Sequence, residues 1–294
     1  MKFIQSYELN RERWDGLVNV HGHLRQSSWF MDICAKKWCA LVNEDYSKGL
    51  ALAYNEVLGK KILYPAIYTR SNEPMGFDIG DLEALLDLLR KEFHIASFQT
   101  EVTLESLGTG VERGAKNFQV TDQIDLNQQA KRSLKKAEKN GIEVKKVAWK
   151  QGFHLIGEEL GSKVTELNEE NLERMQLLLS ELEQREILMC QGIFQEAELR
   201  GVMYYIEYKN KRLYLKGACQ KAVRDVGGMY LAMERAIGES LENGRYFDFG
   251  GSNLDGISRF FKSFGATDRN YHVYEWNRAP KWFNLLRDFN KRRA

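Results

Sequence analysis

The chain has 294 residues, enough to bury one large hydrophobic core or two ordinary ones. Its 43% hydrophobic and 29% charged residues are typical of a globular protein, and a net charge of +2 excludes bulk polyanion binding but not a local cationic patch. No apolar run approaches the roughly 18 residues of a membrane span. The N-terminus has no signal-peptide core, so we expect a cytoplasmic protein.

Metal binding is not expected either. The four cysteines are scattered without a CxxC pair, and no histidine lies at zinc-finger spacing. In a cytoplasmic chain such cysteines are typically reduced and buried. No Walker loop, GxSxG elbow or HExxH helix occurs in the sequence.

The first half of the chain predicts two short helices, three strands, a longer helix and two further strands. They cover residues 14–18, 28–36, 38–42, 49–54, 61–68, 78–93, 95–103 and 117–126, in that order. The strands are short apolar runs between polar turns. The longer helix is indicated by leucines at positions i, i+3, i+4 and i+7, namely Leu82, Leu85, Leu86 and Leu89.

The second half repeats this order of elements. It predicts helices at 128–139 and 168–187, a strand at 142–149, a hairpin at 201–218, a helix that ends at Asn243-Gly244, strands at 245–249 and 269–276, and a C-terminal helix from Pro280. Two mixed α/β units of ordinary size follow. We place the boundary near Leu126, which gives domains 1–126 and 127–294.

The segment from residue 224 to residue 228 is the first candidate for binding a donor. Arg224 lies three residues before the pair Gly227-Gly228, which opens a helix. Glycines at a helix N-terminus let backbone N–H groups approach a phosphate, and the helix dipole adds positive potential. The alternative is a glycine-rich turn with a solvated arginine.

A second glycine pair follows the strand at 245–249. Alternation places Phe247 and Phe249 on one face of this strand and Asp248 on the other. A carboxylate beside the loop Gly250-Gly251-Ser252 can orient an amine nucleophile or accept its proton. Alternatively, Asp248 caps the glycine turn.

The short helix that ends at Gly265 carries the most specific pair of residues. Its apolar stripe comprises Ile257, Phe260, Phe261 and Phe264. Arg259 and Lys262 are three residues apart and lie side by side on a helix. Two such cations can bind a phosphate or stabilise the oxyanion that forms when an amine attacks an ester or thioester. The alternative is an ordinary surface helix with solvated charges.

The helix at 128–139 is strongly basic. It contains one acid, Glu138, and five basic residues, which are Lys131, Arg132, Lys135, Lys136 and Lys139. Such a run is typical of a solvated face, or it guides RNA or another polyanion.

Three motifs together resemble FemABX-like acyltransferases, which are tandem proteins of the GNAT fold. They are KNGIEV at 139–144, YFDFGGS at 246–252 and GISRFFKSFGA at 256–266. The segment SSWFMDICAKKWCALV at 27–42 resembles the entry segment of such bacterial proteins. The resemblance implies a mixed α/β fold of two tandem GNAT-like domains, with the donor site in the second. It also implies that Phe261 and Lys262 lie at that donor site, together with Arg259 and the two glycine pairs.

The implied activity is transfer of an acyl or aminoacyl group to an amine on a small molecule or peptide. Fem transferases take the group from aminoacyl-tRNA and other GNAT enzymes take it from acyl-CoA, so both donors stay open. The chain lacks the coiled-coil arm of some Fem enzymes, and Met229 stands where the GNAT phosphate loop has a small residue. A catalytically silent tandem-GNAT module that binds a ligand or partner is the remaining alternative.

Overall fold

The computed structural model describes residues 1–160, 168–251 and 255–284. The chain forms two compact units. Unit 1 comprises residues 1–116 and the described part of 270–294, and unit 2 comprises the described part of 117–269. The end of the chain therefore returns to unit 1. The predicted GNAT-like domains 1–126 and 127–294 divide the chain differently from these compact units and stay a prediction.

The described residues form twelve strands and nine α-helices. In chain order these are β1 (Lys2–Gln5), α1 (Arg11–His21), α2 (Ser28–Cys34), β2 (Lys37–Val42), β3 (Gly49–Val57), β4 (Lys60–Leu63), α3 (Ile79–Glu92), β5 (Ile95–Thr100), β6 (Glu112–Thr121), α4 (Gln128–Lys139), β7 (Glu143–Lys146), α5 (Trp149–Leu160), α6 (Glu169–Gln184), β8 (Leu188–Gln195), β9 (Glu198–Tyr208), β10 (Lys211–Cys219), α7 (Lys221–Asp225), α8 (Gly228–Glu242), β11 (Tyr246–Asp248), α9 (Asp255–Lys262) and β12 (Thr267–Asn277).

Both units repeat one strand topology. Unit 1 has the order β1-β2-β3-β4-β5-β12, and unit 2 has the order β7-β8-β9-β10-β11-β6. In each, four antiparallel strands are followed by a helical crossover, a fifth strand parallel to the fourth and an antiparallel sixth. The sixth strand of unit 1 comes from the end of the chain, whereas that of unit 2 precedes α4. The predicted repeat of element order is therefore a repeat of sheet topology.

Each unit has its own apolar core. In unit 1 the predicted helical stripe is buried through Leu85, Leu86 and Leu89, and α3 begins at a capping box formed by Asp78 and Asp81. In unit 2, small residues of α8 pack with Phe247 and Phe249 of the sheet and with the phenylalanines of α9. This core holds α8 and α9 on one face of the sheet.

The parallel strands of unit 2 pair over only three residues. The register runs from Lys211↔Tyr246 to Leu213↔Asp248, after which β10 continues to Cys219 while β11 ends. The chain leaves β11 through Gly250 and Gly251, whose φ angles are +80° and +86°. The glycine loop therefore lies at the carboxyl end of the parallel pair, which is where open α/β sheets place ligand sites.

Besides the short helix α7, two longer elements of unit 2 were not predicted from the sequence, namely α5 and β8. Each contains a glycine that resembles a break, Gly152 in α5 and Gly192 in β8. A Cβ atom on Gly152 would lie 2.7 Å from the Cβ of Val202, and one on Gly192 would lie 2.7 Å from Leu199. Both glycines therefore permit close packing and do not end an element.

Arg212 of β10 ties helix α8 to the sheet. Its side chain is only 3% exposed. Its Nη1 donates a hydrogen bond to the carbonyl oxygen of Ala236 at 2.7 Å and lies 3.3 Å from a carboxylate oxygen of Glu239, and its Nη2 pairs with Glu207. One buried guanidinium thus joins β9, β10 and α8.

Replacement of Arg212 by Met is expected to lower the free energy of unfolding of unit 2 by about 3 kcal/mol, because the variant leaves partly buried carboxylates unpaired. Urea unfolding at pH 7 measures this loss. The matched control is Arg185→Met, which removes an exposed pair with Glu181 and changes the free energy by less than about 1 kcal/mol. Similar losses in both variants would contradict the role of Arg212.

Candidate functional site

Helix α4 presents its cations to solvent. Its N-cap is Asn127, whose side chain accepts a hydrogen bond from the backbone N–H of Ala130. Only the small residues Ala130 and Ala137 are fully buried. The exposed cations are Lys131, Arg132, Lys135, Lys136 and Lys139. Because alanines form its inner stripe, the backbone of α4 comes close to α8.

The pair Gly227-Gly228 is where α4 and α8 meet. Gly227 has a φ of +92°, and a Cβ atom there would lie 2.3 Å from the carbonyl oxygen of Ser133 on α4. A Cβ atom on Gly228 would lie 2.4 Å from Val223. Packing therefore requires glycine at both positions. The phosphate-binding role of this pair stays a prediction.

The segment before this glycine pair is helical. The predicted loop residue Arg224 lies in α7, is exposed, and donates a hydrogen bond from Nη1 to the carbonyl oxygen of Cys219 at 3.4 Å. The Nζ of Lys136 donates to the carbonyl oxygen of Asp225 at 2.9 Å. A cation of α4 thus provides a hydrogen-bond donor for the last carbonyl group of α7. Arg224, in the same turn of α7, stays exposed.

Helix α9 places the two side chains of the predicted pair Phe261-Lys262 in different environments. Phe261 is 2% exposed and packs on Phe249 and Tyr214, with ring centroids 4.9 and 6.1 Å apart. Its ring belongs to the core, whereas the side chain of Lys262 is 48% exposed. The predicted apolar stripe holds for Phe260, Phe261 and Phe264, but Ile257 is exposed. Phe261 therefore positions Lys262 by anchoring its helix.

The cations of α9 have different partners. Lys262 Nζ lies 2.6 Å from Oδ2 of Asp268, a residue that the sequence analysis did not single out. Arg259 is exposed, and its Nε donates to the carbonyl oxygen of Asp255 at 3.2 Å. The Lys262 ammonium, followed by the amide of Gln119, lowers the pKa of the Asp268 carboxyl below its usual value.

Hydrogen bonds join the end of α9 to the start of α4. Backbone N–H groups of Asp125 and Asn127 donate to the carbonyl oxygens of Phe264 and Ser263 at 3.2 and 3.0 Å. Gly265 makes this turn with a φ of +86°, and a Cβ atom there would lie 2.9 Å from Asp125. The cations of α4 and of α9 therefore lie on adjoining elements.

Tyr230, in the first turn of α8, bridges the same two helices. Its hydroxyl accepts a hydrogen bond from Nε2 of Gln129 at 3.0 Å. Its ring packs edge-on against Phe260, with centroids 4.8 Å apart. Helices α4, α8 and α9 thus meet around this ring, and we call the exposed cations of α4 and α9 the α4–α9 surface (Lys131, Arg132, Lys135, Lys136, Lys139, Arg259 and Lys262).

Asp248 lies apart from this surface. It pairs in register with Leu213 and Val120, between Phe247 and Phe249, so its side chain points to the opposite face of the sheet. The carboxylate is buried, and its Oδ1 accepts a hydrogen bond from the N–H of Gly250 at 2.8 Å. This is the capping interaction of the alternative interpretation. A catalytic role for Asp248 stays a prediction.

The second glycine pair is also tightly packed. A Cβ atom on Gly250 would lie 3.0 Å from the carbonyl oxygen of Tyr214, and one on Gly251 would lie 2.7 Å from Phe118. Their positive φ angles and these contacts account for both glycines. Ser252, predicted to belong to the same loop, lies outside the described residues.

The four cysteines are free and buried. Burial raises the pKa of Cys39, Cys190 and Cys219 to about 12, so these thiols are protonated at neutral pH. Within the described ranges, no group of three or more histidine, cysteine, aspartate or glutamate side chains is arranged to hold a metal ion. None of the described helices is both long and apolar enough to cross a lipid bilayer.

Comparison with known proteins identifies the fold. No protein-family model and no curated protein matches the sequence. FemX is similar in structure, with a TM-score of 0.61 at 13% identity, over 92% of this chain and 97% of FemX. The C-terminal domain of a protein assigned as a lysylphosphatidylglycerol synthetase from Agrobacterium fabrum gives 0.58 at 11% identity, over 91% of each chain. A tandem GNAT protein from the clavulanic acid pathway gives 0.52 at 9% identity, over 95% and 99%.

These likenesses confirm the predicted fold class. The chain has the mixed α/β fold of FemX and of tandem GNAT proteins. The topology repeated in the two units agrees with this assignment. The resemblance drawn from the motifs of the second half is therefore confirmed at the level of the fold.

Substitution of Gly227 by Ala is expected to lower the free energy of unfolding by at least about 2 kcal/mol, because alanine is strained at positive φ and its Cβ meets the Ser133 carbonyl. Urea unfolding measures the change. The control is Gly238→Ala within α8, where the nearest atom to a new Cβ lies 3.9 Å away. That substitution is expected to be neutral or to stabilise by up to about 1 kcal/mol. Equal effects would show that α4 does not pack closely at Gly227.

Proposed function

We propose that this protein is an N-acyltransferase that moves an acyl or aminoacyl group from a polyanionic donor to a primary amine. A fold alone does not determine an activity, so the proposal rests on the site. The observation that carries it is the exposed Lys262 on α9, whose end is hydrogen-bonded to the start of the cationic helix α4. The FemX-like fold supports the same class of reaction.

Aminoacyl-tRNA is the donor that the geometry favours. From Lys131 to Lys139 the cations of α4 extend over about 12 Å of helix axis, which spans several backbone phosphates of an RNA strand. Arg259 and Lys262 add two cations on α9, the end of which is hydrogen-bonded to the start of α4. A surface of this length suits an extended polyanion better than a single diphosphate.

Acyl-CoA is the second candidate donor, and Arg224 is the observation that favours it. This exposed arginine lies at the end of α7, directly before the helix α8, where GNAT enzymes hold the donor diphosphate by the resemblance drawn above. For the tandem GNAT protein from the clavulanic acid pathway, the similar structure is the one without AcCoA. The N–H of Gly227 already donates a hydrogen bond to the carbonyl oxygen of Arg224 at 3.1 Å, which argues against its use in a phosphate cradle.

Lys262 is suited to stabilise charge during the transfer. Attack of an amine on an ester or thioester carbonyl forms an oxyanion, and a nearby ammonium lowers the free energy of that state. The present partner of Lys262 is a half-exposed carboxylate, and such surface pairs contribute at most about 1 kcal/mol. A bound donor can therefore draw Lys262 away from Asp268 at small energetic expense.

The proposal predicts that Lys262→Ala lowers kcat/KM for transfer about 10²-fold without unfolding the protein, because one stabilising group for the oxyanion is lost. The assay incubates the protein with radiolabelled aminoacyl-tRNA or radiolabelled acetyl-CoA and with two amine probes, ethanolamine and a lysine-containing peptide. Circular dichroism and the melting temperature verify the fold of the variant.

The matched control is Lys150→Ala. Lys150 is exposed on helix α5, and Gly152 of this helix packs on Val202 of β9. The next residue of β9, Met203, points to the other face of the sheet, where it belongs to the core beneath α8. Helix α5 therefore covers the opposite face of the same sheet, and transfer by this variant should equal that of the wild type. Full activity of Lys262→Ala would overturn the site assignment. Use of neither donor by the wild type would reject the proposed function and favour the catalytically silent module.

A further inference from the structure

The carboxylate of Asp268 is held on one side and open on the other. Its Oδ1 accepts a hydrogen bond from Nε2 of Gln119 at 3.0 Å, and Gln119 is only 1% exposed. Its Oδ2 lies 2.6 Å from the ammonium of Lys262, and the Asp268 side chain is 36% exposed. The buried amide thus fixes the orientation of a carboxylate whose other oxygen binds a primary ammonium at the surface.

Gln119 has one hydrogen-bonding atom without a partner. Its Nε2 lies 3.0 Å from Asp268 and 3.5 Å from the hydroxyl of Ser258, whereas no donor among the described residues reaches its buried Oε1. A buried polar atom left unpaired costs about 1–3 kcal/mol, and such atoms are rare in native proteins. The Lys262 ammonium contacts Asp268 Oδ2 and leaves this amide oxygen unpaired.

Resting on the proposed function, we infer that Asp268, oriented by Gln119, receives the ammonium group of the acceptor when Lys262 turns to the donor. In the structure the Lys262 ammonium occupies this place and is chemically the same group as a protonated primary amine. Exchange of one ammonium for another preserves the charge balance at Asp268. The acceptor class is therefore a primary alkyl amine that enters in its protonated form.

The chemical step balances in protons and bonds. The acceptor ammonium gives one proton to the Asp268 carboxylate, which passes it to water, and the amine nitrogen then attacks the carbonyl carbon of the donor ester. The new N–C bond forms as the ester C–O bond breaks. A second proton leaves the nitrogen and is taken up by the leaving oxygen.

The deciding experiment uses the side-chain amide of Gln119 as a reporter in NMR spectra. Lys262→Ala empties the place beside Asp268, and butylammonium chloride is then titrated against tetramethylammonium chloride, which lacks N–H donors, at equal ionic strength. We expect a saturable shift of the Gln119 amide signals with butylammonium only. In Lys262→Ala/Asp268→Asn the shift should disappear. Both changes are at the surface, so the remaining spectrum should be preserved.

The ammonium site is overturned if the single variant shows no saturable shift, or if the double variant shows the same one. In the transfer assay, Asp268→Asn should raise the KM for the amine probe at least 10-fold and leave the KM for the donor within 2-fold. An unchanged KM for the amine in an active enzyme would equally overturn the inference. Absence of transfer by the wild type rejects the proposed function alone, because the NMR titration still decides the ammonium site.

Discussion

The close approach of helix α4 to two glycines is the constraint on which the candidate site depends. The carbonyl of Ser133 packs against Gly227 at the start of α8, and Asp125, just before α4, packs against Gly265 at the end of α9. Neither glycine position has room for a side chain, and both have positive φ angles that favour glycine. The backbone therefore fixes α4 against α8 and α9, and one of its cations, Lys136, adds a hydrogen bond to the end of α7.

This arrangement leaves the cations of α4 available for a ligand. A helix fixed by backbone contacts and by two buried alanines needs few charged contacts to hold it, so most of its lysines and its arginine face solvent. The α4–α9 surface thus gathers charge that the modest net charge of the whole chain does not reveal. Electrostatic attraction of a polyanion depends on such local density more than on net charge.

Much of the fold follows from local patterns in the sequence. Helix α4 is found at the predicted residues, and α3 and α8 begin and end within one or two residues of their caps and glycines. The missed α5 and β8 contain Gly152 and Gly192, whose packing partners lie about 50 and 7 residues further along the chain. The placement of β6 and β12 in different units depends on long-range pairing, which no local pattern specifies.

The candidate site was predictable in part. Helical spacing correctly predicts that Arg259 and Lys262 are exposed on the same short helix. It also places Phe261 in the apolar stripe of that helix, but it does not predict the packing of this ring on Phe249 and Tyr214, which depends on long-range contacts. Asp268 and Gln119 escape sequence analysis for the same reason. The first meets Lys262 only across the Gly265 turn, and the second comes from a strand 149 residues before Asp268.

The central claim is that α4 and α9 form one polyanion-binding surface. It is tested most directly by the salt dependence of tRNA binding to the wild type and to Lys131→Gln/Arg132→Gln/Lys135→Gln. The account predicts weaker binding by the triple variant and a slope of log K against log salt that is smaller by about 2 to 3, since each lost phosphate contact removes roughly 0.7–0.9. An unchanged affinity and slope in a folded triple variant would contradict the claim.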